Sequence, residues 1–121
     1  MAHVVHNSYL QRYMAVQTGE RELNGRLVCG FYFALSADLV HWSQPQLLVE
    51  TWWASYCSAD PNGPGVLEPV PVSGASIVDH ADTTINFEKA GQTPYLYYIR
   101  FNDGGLDRDL VRVPLTFNRV D

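Results

Sequence analysis

The sequence predicts an all-β protein, because strand signals recur along it and no amphipathic helix of about ten residues or more interrupts them. Aromatic and aliphatic residues are grouped in short runs, as in residues 27–35 and 94–102. Glycine, proline, asparagine and aspartate separate these runs, which is typical of strands joined by tight turns. We therefore expect roughly six to eight strands, arranged as antiparallel meanders within one domain.

Three predicted strands lie in the first half of the chain. Residues 8–17 are aromatic and aliphatic and end at Thr18-Gly19, and Gly25 marks the next turn. Residues 27–35 carry apolar side chains at both alternating positions, so we expect this strand to be buried on both faces. Residues 46–53 form the third strand and end in two tryptophans, Trp52 and Trp53, which face opposite sides of extended backbone.

The second half begins after a segment rich in proline and glycine. Residues 75–79 are a short strand, residues 94–102 a strong one, and residues 109–117 a closing strand in which Pro114 indicates an edge position. Each half is thus predicted to be a meander. The expected division is residues 1–53 for the first meander, 54–74 for the connection and 75–121 for the second meander.

The most specific local pattern is the turn at residues 36–42. Ser36 and Asp38 are two positions apart and can hydrogen-bond the backbone of their own turn. Trp42 follows four residues after Asp38, so its ring can fold back and cap the hairpin. We expect these three residues to form a structural hairpin motif, and contact with sugar is the alternative role.

Composition excludes several classes of partner and site. The net charge is −5 and the only lysine is Lys89, so the clustered cations that nucleic acid requires are missing. No apolar segment approaches the length of about 20 residues that a membrane helix needs. The four histidines lack metal-ligand spacing, so we expect neither a metal nor a cofactor.

The chain contains two cysteines, Cys29 and Cys57, without the spacing of a metal site or a redox motif. Two free thiols in a reducing compartment are the favoured interpretation, and a disulfide is the alternative. No basic segment followed by an apolar run is visible at the start of the sequence. We therefore expect a cytoplasmic protein.

Three stretches of the sequence follow patterns of a known kind. Residues 5–13 are similar to the motif HWNxYLxRY, and residues 30–43 to the motif GIYYSxSxDLxxWS. The third stretch comprises residues 76–79, 86–88, 95–101 and 106–115. Together they resemble the late-blade opening, the hairpin and the last blade of glycoside hydrolase family 43 and related glycosidases, which fold as five-bladed β-propellers. The resemblance implies that the two predicted meanders are the last two blades of such a propeller and that carbohydrate is the ligand class.

The resemblance does not extend to catalysis. The family's catalytic carboxylates lie mainly in earlier blades, so no catalytic residue is assigned here and an enzyme is not expected. A propeller needs at least about four blades, so we expect a homo-oligomer; a smaller sandwich or a piece of a longer protein are the alternatives. The expected function is weak carbohydrate binding. The alternatives are a self-assembling structural module, an orphan fold without sugar activity, and a glycoside hydrolase with a site formed across subunits.

The resemblance also selects candidate ligand contacts on inner strands. His6 and Asn7 lie on the first strand of a blade, and Asp79 and His80 end the strand at residues 75–79. Arg100 interrupts an apolar strand and is expected to need a carboxylate partner such as Asp79. The alternative for His6 is a surface or satisfied core histidine, and the alternative for Arg100 is an edge residue whose charge reaches solvent.

Overall fold

The computed structural model describes residues 3–51, 66, 72–82, 89–102 and 107–119. Within these residues the chain is all-β, as predicted, with eight strands and no helix. The strands are β1 (His3–Asn7), β2 (Arg12–Leu23), β3 (Arg26–Ser36), β4 (Gln46–Glu50), β5 (Val72–Val78), β6 (Lys89–Ala90), β7 (Tyr95–Asn102) and β8 (Asp107–Pro114).

The strands form two sheets. The first has the order β4-β3-β2-β1-β6, and the second has the order β5-β7-β8. Strands β1 to β4 are an antiparallel meander, in which each strand pairs with the next along the chain. Strand β6 joins β1 in parallel through two residue pairs, His6 with Lys89 and Asn7 with Ala90. The second half of the chain therefore contributes an edge to the first sheet.

The longest ladder joins β2 to β3 through a two-residue turn. Asn24 and Gly25 both have positive φ angles, of 53° and 77°, as a type I′ hairpin turn requires. Because the twist of this turn matches that of the strands, pairing continues through the polar residues down to Leu23 and Arg26. The predicted strand at residues 8–17 is wrong in its bounds: residues 8–11 form a turn, and β2 continues beyond residue 17.

One hydrophobic core lies between the two sheets. Alternate residues of β2 and β3 point into it, and Met14, Val16 and Phe31 have no exposed surface. An aromatic pair joins the two sheets: the ring centroids of Phe31 and Tyr98 are 5.2 Å apart. Most of the remaining core consists of aliphatic residues from both sheets and from the segment after β8, namely Val5, Val72, Ile77, Ala90, Leu96 and Leu115. The two meanders thus share a core and are not independently packed.

Strand β3 is buried on both faces in its central part, as the two-sided apolar pattern predicted. Phe31 faces the core, whereas its neighbour Tyr32 faces the opposite side and is only 2% exposed. The Tyr32 hydroxyl donates to the Val28 carbonyl at 2.6 Å, and its ring lies against Gly19 on the neighbouring strand. An aromatic ring over a cross-strand glycine compensates for the missing side chain.

The second sheet follows the prediction with shifted bounds. Strand β5 starts at Val72, within the segment expected to be a connection, and β8 ends at Pro114 on the edge of the sheet, where a residue without an N–H is tolerated. The expected strand end at Trp52 and Trp53 lies outside the described residues.

The prediction of free thiols is wrong for Cys29, which is disulfide-bonded. Cys57 is the only other cysteine of the sequence and lies outside the described residues. A short chain with two cysteines and no motif spacing permits either state, so pattern alone could not decide. One of the two grounds for expecting a cytoplasmic location is therefore removed, because disulfides persist mainly in oxidising compartments.

Candidate functional site

The outer face of the first sheet, turned away from the core, carries a groove with a low floor. Val4, Ala15 and Ala34 are directly paired across β1, β2 and β3. Their neighbours along each strand face the core, so these three side chains point outwards. Because two of the three are alanines, the centre of this face is lower than its surroundings. The groove has a volume of about 400 Å³.

Aromatic and polar side chains surround this floor. Tyr32 and Trp42 line the groove together with Gln17 and Ser43. Trp42 is 39% exposed, so a large part of its ring is open to a ligand. The groove thus combines an accessible indole ring, small floor residues, an amide and a hydroxyl, which is the composition of a small-molecule site. We call it the Trp42 groove.

The turn at residues 36–42 positions Trp42. The Ser36 hydroxyl accepts the N–H of Leu39 at 2.8 Å, and Asp38 Oδ1 accepts the N–H of Val40 at 2.9 Å. After the tryptophan, Ser43 bonds Leu35 twice: its N–H donates to the Leu35 carbonyl at 2.8 Å, and its Oγ accepts the Leu35 N–H at 2.9 Å. The indole is therefore attached to backbone that is fixed on both sides.

These contacts divide the predicted hairpin motif into two roles. Ser36 and Asp38 stabilise the turn, as the Ser-x-Asp pattern predicted. Trp42 is not buried beneath the turn: the residue is 39% exposed and lines the Trp42 groove.

A second depression adjoins the Trp42 groove, and Val4 lines both. It has a volume of about 520 Å³ and includes His6, Tyr13, Leu39 and Lys89 among its lining residues. The His6 ring meets the Tyr13 ring edge to face, with centroids 5.0 Å apart. Lys89 is exposed and pairs with His6 in the parallel ladder. We call this depression the cationic depression, since His6 and Lys89 are its two basic residues.

Asn7 and Asp79, both predicted ligand contacts, use their side chains to hydrogen-bond backbone groups. Asn7 is fully buried; its amide donates to the Gly91 carbonyl at 3.0 Å, and its Oδ1 accepts the Leu10 N–H at 2.9 Å. Asp79 accepts the N–H of Gly91 at 2.7 Å and that of Ala81 at 2.9 Å. Both side chains position the strand segment of β6 beside β1, and their polar atoms already have partners.

The remaining predicted residues lie on the second sheet. His80 is exposed on its outer face, where Nε2 lies 2.8 Å from the Tyr97 hydroxyl and the ring meets Tyr95 edge to face. Arg100 donates to Asp109 Oδ2 at 2.7 Å, directly across the β7–β8 ladder. The expected pairing of Arg100 with Asp79 is not found, because these residues lie at opposite ends of the sheet. The five predicted binding residues therefore do not share one site.

Sequence reasoning missed Gln17, Tyr32, Ser43 and Lys89 as members of the outer face. Gln17 and Tyr32 are directly opposite in the β2–β3 ladder, and this pairing depends on the register. Alternate residues of β2 point outwards, but this pattern assigns Gln17 to the outer face only once the bounds of the strand are known. Lys89 was noted for its charge, but its pairing with His6 joins residues far apart in the chain.

Neither a metal cluster nor a membrane-spanning helix is present in the part of the chain that the structure describes. Its His, Cys, Asp and Glu side chains form no group of three that could hold a metal ion. Its secondary structure includes no helix long and apolar enough to cross a membrane.

The chain was also compared with known proteins. No family model, curated protein or solved structure matches it.

Proposed function

We propose that the Trp42 groove binds carbohydrate and that the chain acts as a non-catalytic binding module. The observation that carries this proposal is the position of Trp42, an accessible indole fixed beside a floor of alanines. The apolar face of a sugar ring packs on such a surface, while its hydroxyls need a few polar partners. The Gln17 amide supplies a donor and an acceptor at the groove. The Ser43 hydroxyl donates to the Gln44 carbonyl and accepts the Leu35 N–H, so it has one acceptor position left for a ligand.

The arrangement of carboxylates supports binding rather than hydrolysis. Glycoside hydrolysis uses two carboxyl groups about 5 to 9.5 Å apart on either side of the scissile bond. None of the described residues that line the Trp42 groove or the cationic depression is an aspartate or glutamate. Asp79 and Asp82 bond backbone N–H groups of the β6 segment. The alternative of a hydrolase site completed across subunits would require carboxylates from another copy.

The resemblance to glycoside hydrolase family 43 proposes the same ligand class, and the blade arrangement belongs to that proposal. Strands β1 to β4 form a consecutive four-stranded meander, which is the strand order of a propeller blade. The second sheet has three described strands in consecutive order. Two such units do not close a ring, so the propeller proposal requires self-association or a longer chain.

The carbohydrate proposal is tested by binding measurements on the folded chain. A glycan array identifies candidate oligosaccharides, and titration calorimetry compares the wild type with Trp42→Ala and Trp42→Phe. We expect Trp42→Ala to weaken binding at least about tenfold, because it removes the stacking surface, and Trp42→Phe to retain most of it. Leu110→Ala is the matched control, since Leu110 is 72% exposed on the second sheet. Binding that is unaffected by Trp42→Ala, or no binding to any glycan, would contradict the proposal.

Self-association is a second proposal, and a different observation favours it. Leu47 is exposed on the edge strand β4, and Val40 is 72% exposed at the tip of the 36–42 turn. Apolar side chains at a sheet edge are typical of contact surfaces. Sedimentation equilibrium tests this: a dimer or larger species supports it, and a monomer at high micromolar concentration contradicts it. The expected contribution of Trp52 or Trp53 lies outside the described residues.

A further inference from the structure

We propose that the ligand of the outer face is an anionic oligosaccharide, whose acidic group is held in the cationic depression. This inference rests on the proposed carbohydrate binding in the Trp42 groove and specifies its ligand. The shared chemistry is a sugar chain that carries a carboxylate or a sulfate group. It follows from the placement of His6 and Lys89 beside the groove.

The two depressions are continuous on one face of one sheet. Val4 lines both, and His6 is the next outward-facing residue of β1, about 6.6 Å further along the strand. A ligand that stacks on Trp42 and extends past Val4 therefore reaches His6. An extended oligomer fits this geometry better than a single sugar, because the two depressions lie side by side.

The charge of the cationic depression differs from that of the whole chain. The net charge is −5, and Lys89 is the only lysine. Its placement in β6, which pairs with β1, brings it opposite His6 on the first sheet. None of the described lining residues of the depression carries a negative charge. An anionic group there gains attraction from the Lys89 ammonium group.

The β6 segment is held so that Lys89 keeps this position. The Lys89 N–H donates to Asp82 Oδ2 at 3.2 Å. The carbonyl of the next residue, Ala90, accepts the Ser8 N–H at 2.7 Å. Asn7 and Asp79 bind Gly91 from two sides. Asn7 and Asp79, which the sequence predicted as ligand contacts, thus hold the strand segment that carries Lys89. In this proposal Lys89 is the residue that contacts the ligand.

The experiment compares matched oligosaccharides on the wild type and three variants. The probes are an oligogalacturonate, a sulfated oligogalactose and the neutral oligogalactose of equal length, each titrated at low and at high salt. Lys89→Gln removes the charge, and Lys89→Arg keeps it. Arg112→Gln is the matched control, because it removes one exposed cation from the outer face of the second sheet, where Arg112 stacks on Tyr95.

We expect the wild type to bind at least one anionic probe about fivefold or more tighter than the neutral one, with the difference reduced at high salt. Lys89→Gln should remove this preference while affinity for the neutral probe changes less than twofold; Lys89→Arg and Arg112→Gln should keep it. The probe that shows the preference distinguishes carboxylate from sulfate.

Four results would overturn the inference. Equal binding of neutral and anionic probes would leave carbohydrate binding intact and remove the anionic specificity. An anionic preference that persists in Lys89→Gln, or that disappears in Arg112→Gln, would place the charge recognition elsewhere. No binding of any probe, or of any glycan on the array, would overturn this inference together with the proposed function. Because Lys89 is exposed, melting curves of its variants should match the wild type.

Discussion

At the scale of single residues, Asp38 shows how one carboxylate organises a turn. Its Oδ1 accepts the His41 N–H at 2.8 Å, and its Oδ2 lies 2.7 Å from His41 Nδ1. The side-chain bond with His41, followed by the backbone N–H groups of His41 and Val40, lowers the pKa of Asp38. These bonds also hold Leu39, a non-glycine residue, at a φ of 68°. The Ser-x-Asp pattern is therefore informative because both side chains act within four residues of sequence.

The lowered pKa of Asp38 predicts a loss of stability in acid. Since the folded pKa lies below the ordinary value of about 3.9, the carboxylate stabilises the fold fully above that value and progressively less as the pH falls below it. Melting temperatures of the wild type and Asp38→Asn should differ near neutral pH, and this difference should shrink only in strong acid, as the pH falls from about 3.9 through the lowered folded pKa. A difference that stays constant over this range would contradict a role for the charge.

Trp42 predicts a separation between stability and binding. Replacing a fully buried tryptophan by alanine costs about 3–5 kcal/mol, but a tryptophan residue that is 39% exposed has less contact area to lose. We expect Trp42→Ala to lower the free energy of unfolding by about 1–2 kcal/mol and leave the fold intact. Urea unfolding measures this. A loss above about 3 kcal/mol would mean that the indole is part of the core.

At the scale of strands, the close approach of β3 to β4 depends on a glycine. A Cβ on Gly30 would lie 2.2 Å from the Val49 carbonyl oxygen, a backbone atom that cannot rotate away. We expect Gly30→Ala to destabilise the protein by about 1–3 kcal/mol or more, measured by urea unfolding. Gly19→Ala is the matched control, because Gly19 is opposite Gly30 and its added Cβ would meet the Tyr32 ring at 3.3 Å. Equal costs for the two variants would contradict the steric explanation.

The strands also show what sequence reasoning can reach. Apolar runs predicted β3 and β7, because a strand that is buried needs apolar side chains and these are visible in the sequence. The polar end of β2 was missed, since its pairing comes from the Asn24-Gly25 turn rather than from its own side chains. The two-residue strand β6 was missed because its partner β1 is far away in sequence. The Trp42 groove depends on the register of β2 with β3, and the cationic depression depends on the pairing of β6 with β1, so neither set of residues could be assembled from the sequence alone.

At the scale of the whole molecule, the disulfide of Cys29 joins the first sheet to another part of the chain. We expect no free thiol when the oxidised protein is denatured and titrated with a thiol reagent. Reduction should lower the free energy of unfolding by about 2–4 kcal/mol, since it releases a constraint on the unfolded chain. Cys29→Ala in the absence of reductant should match the reduced wild type. Two titratable thiols in freshly purified protein would contradict the bond.

The shared core predicts that the two sheets unfold together. Phe31 from the first sheet contacts Tyr98 from the second, and both are fully buried. Phe31→Ala should therefore cost about 3–5 kcal/mol and reduce amide protection in β7 as well as in β2, whereas Leu110→Ala, on the exposed surface, should change stability by less than about 0.5 kcal/mol. Hydrogen exchange measures both sheets in one experiment. If protection in β7 stayed at the wild-type level while β2 lost it, the sheets would be separate folding units. The outer-face groove could then be studied on the first sheet alone.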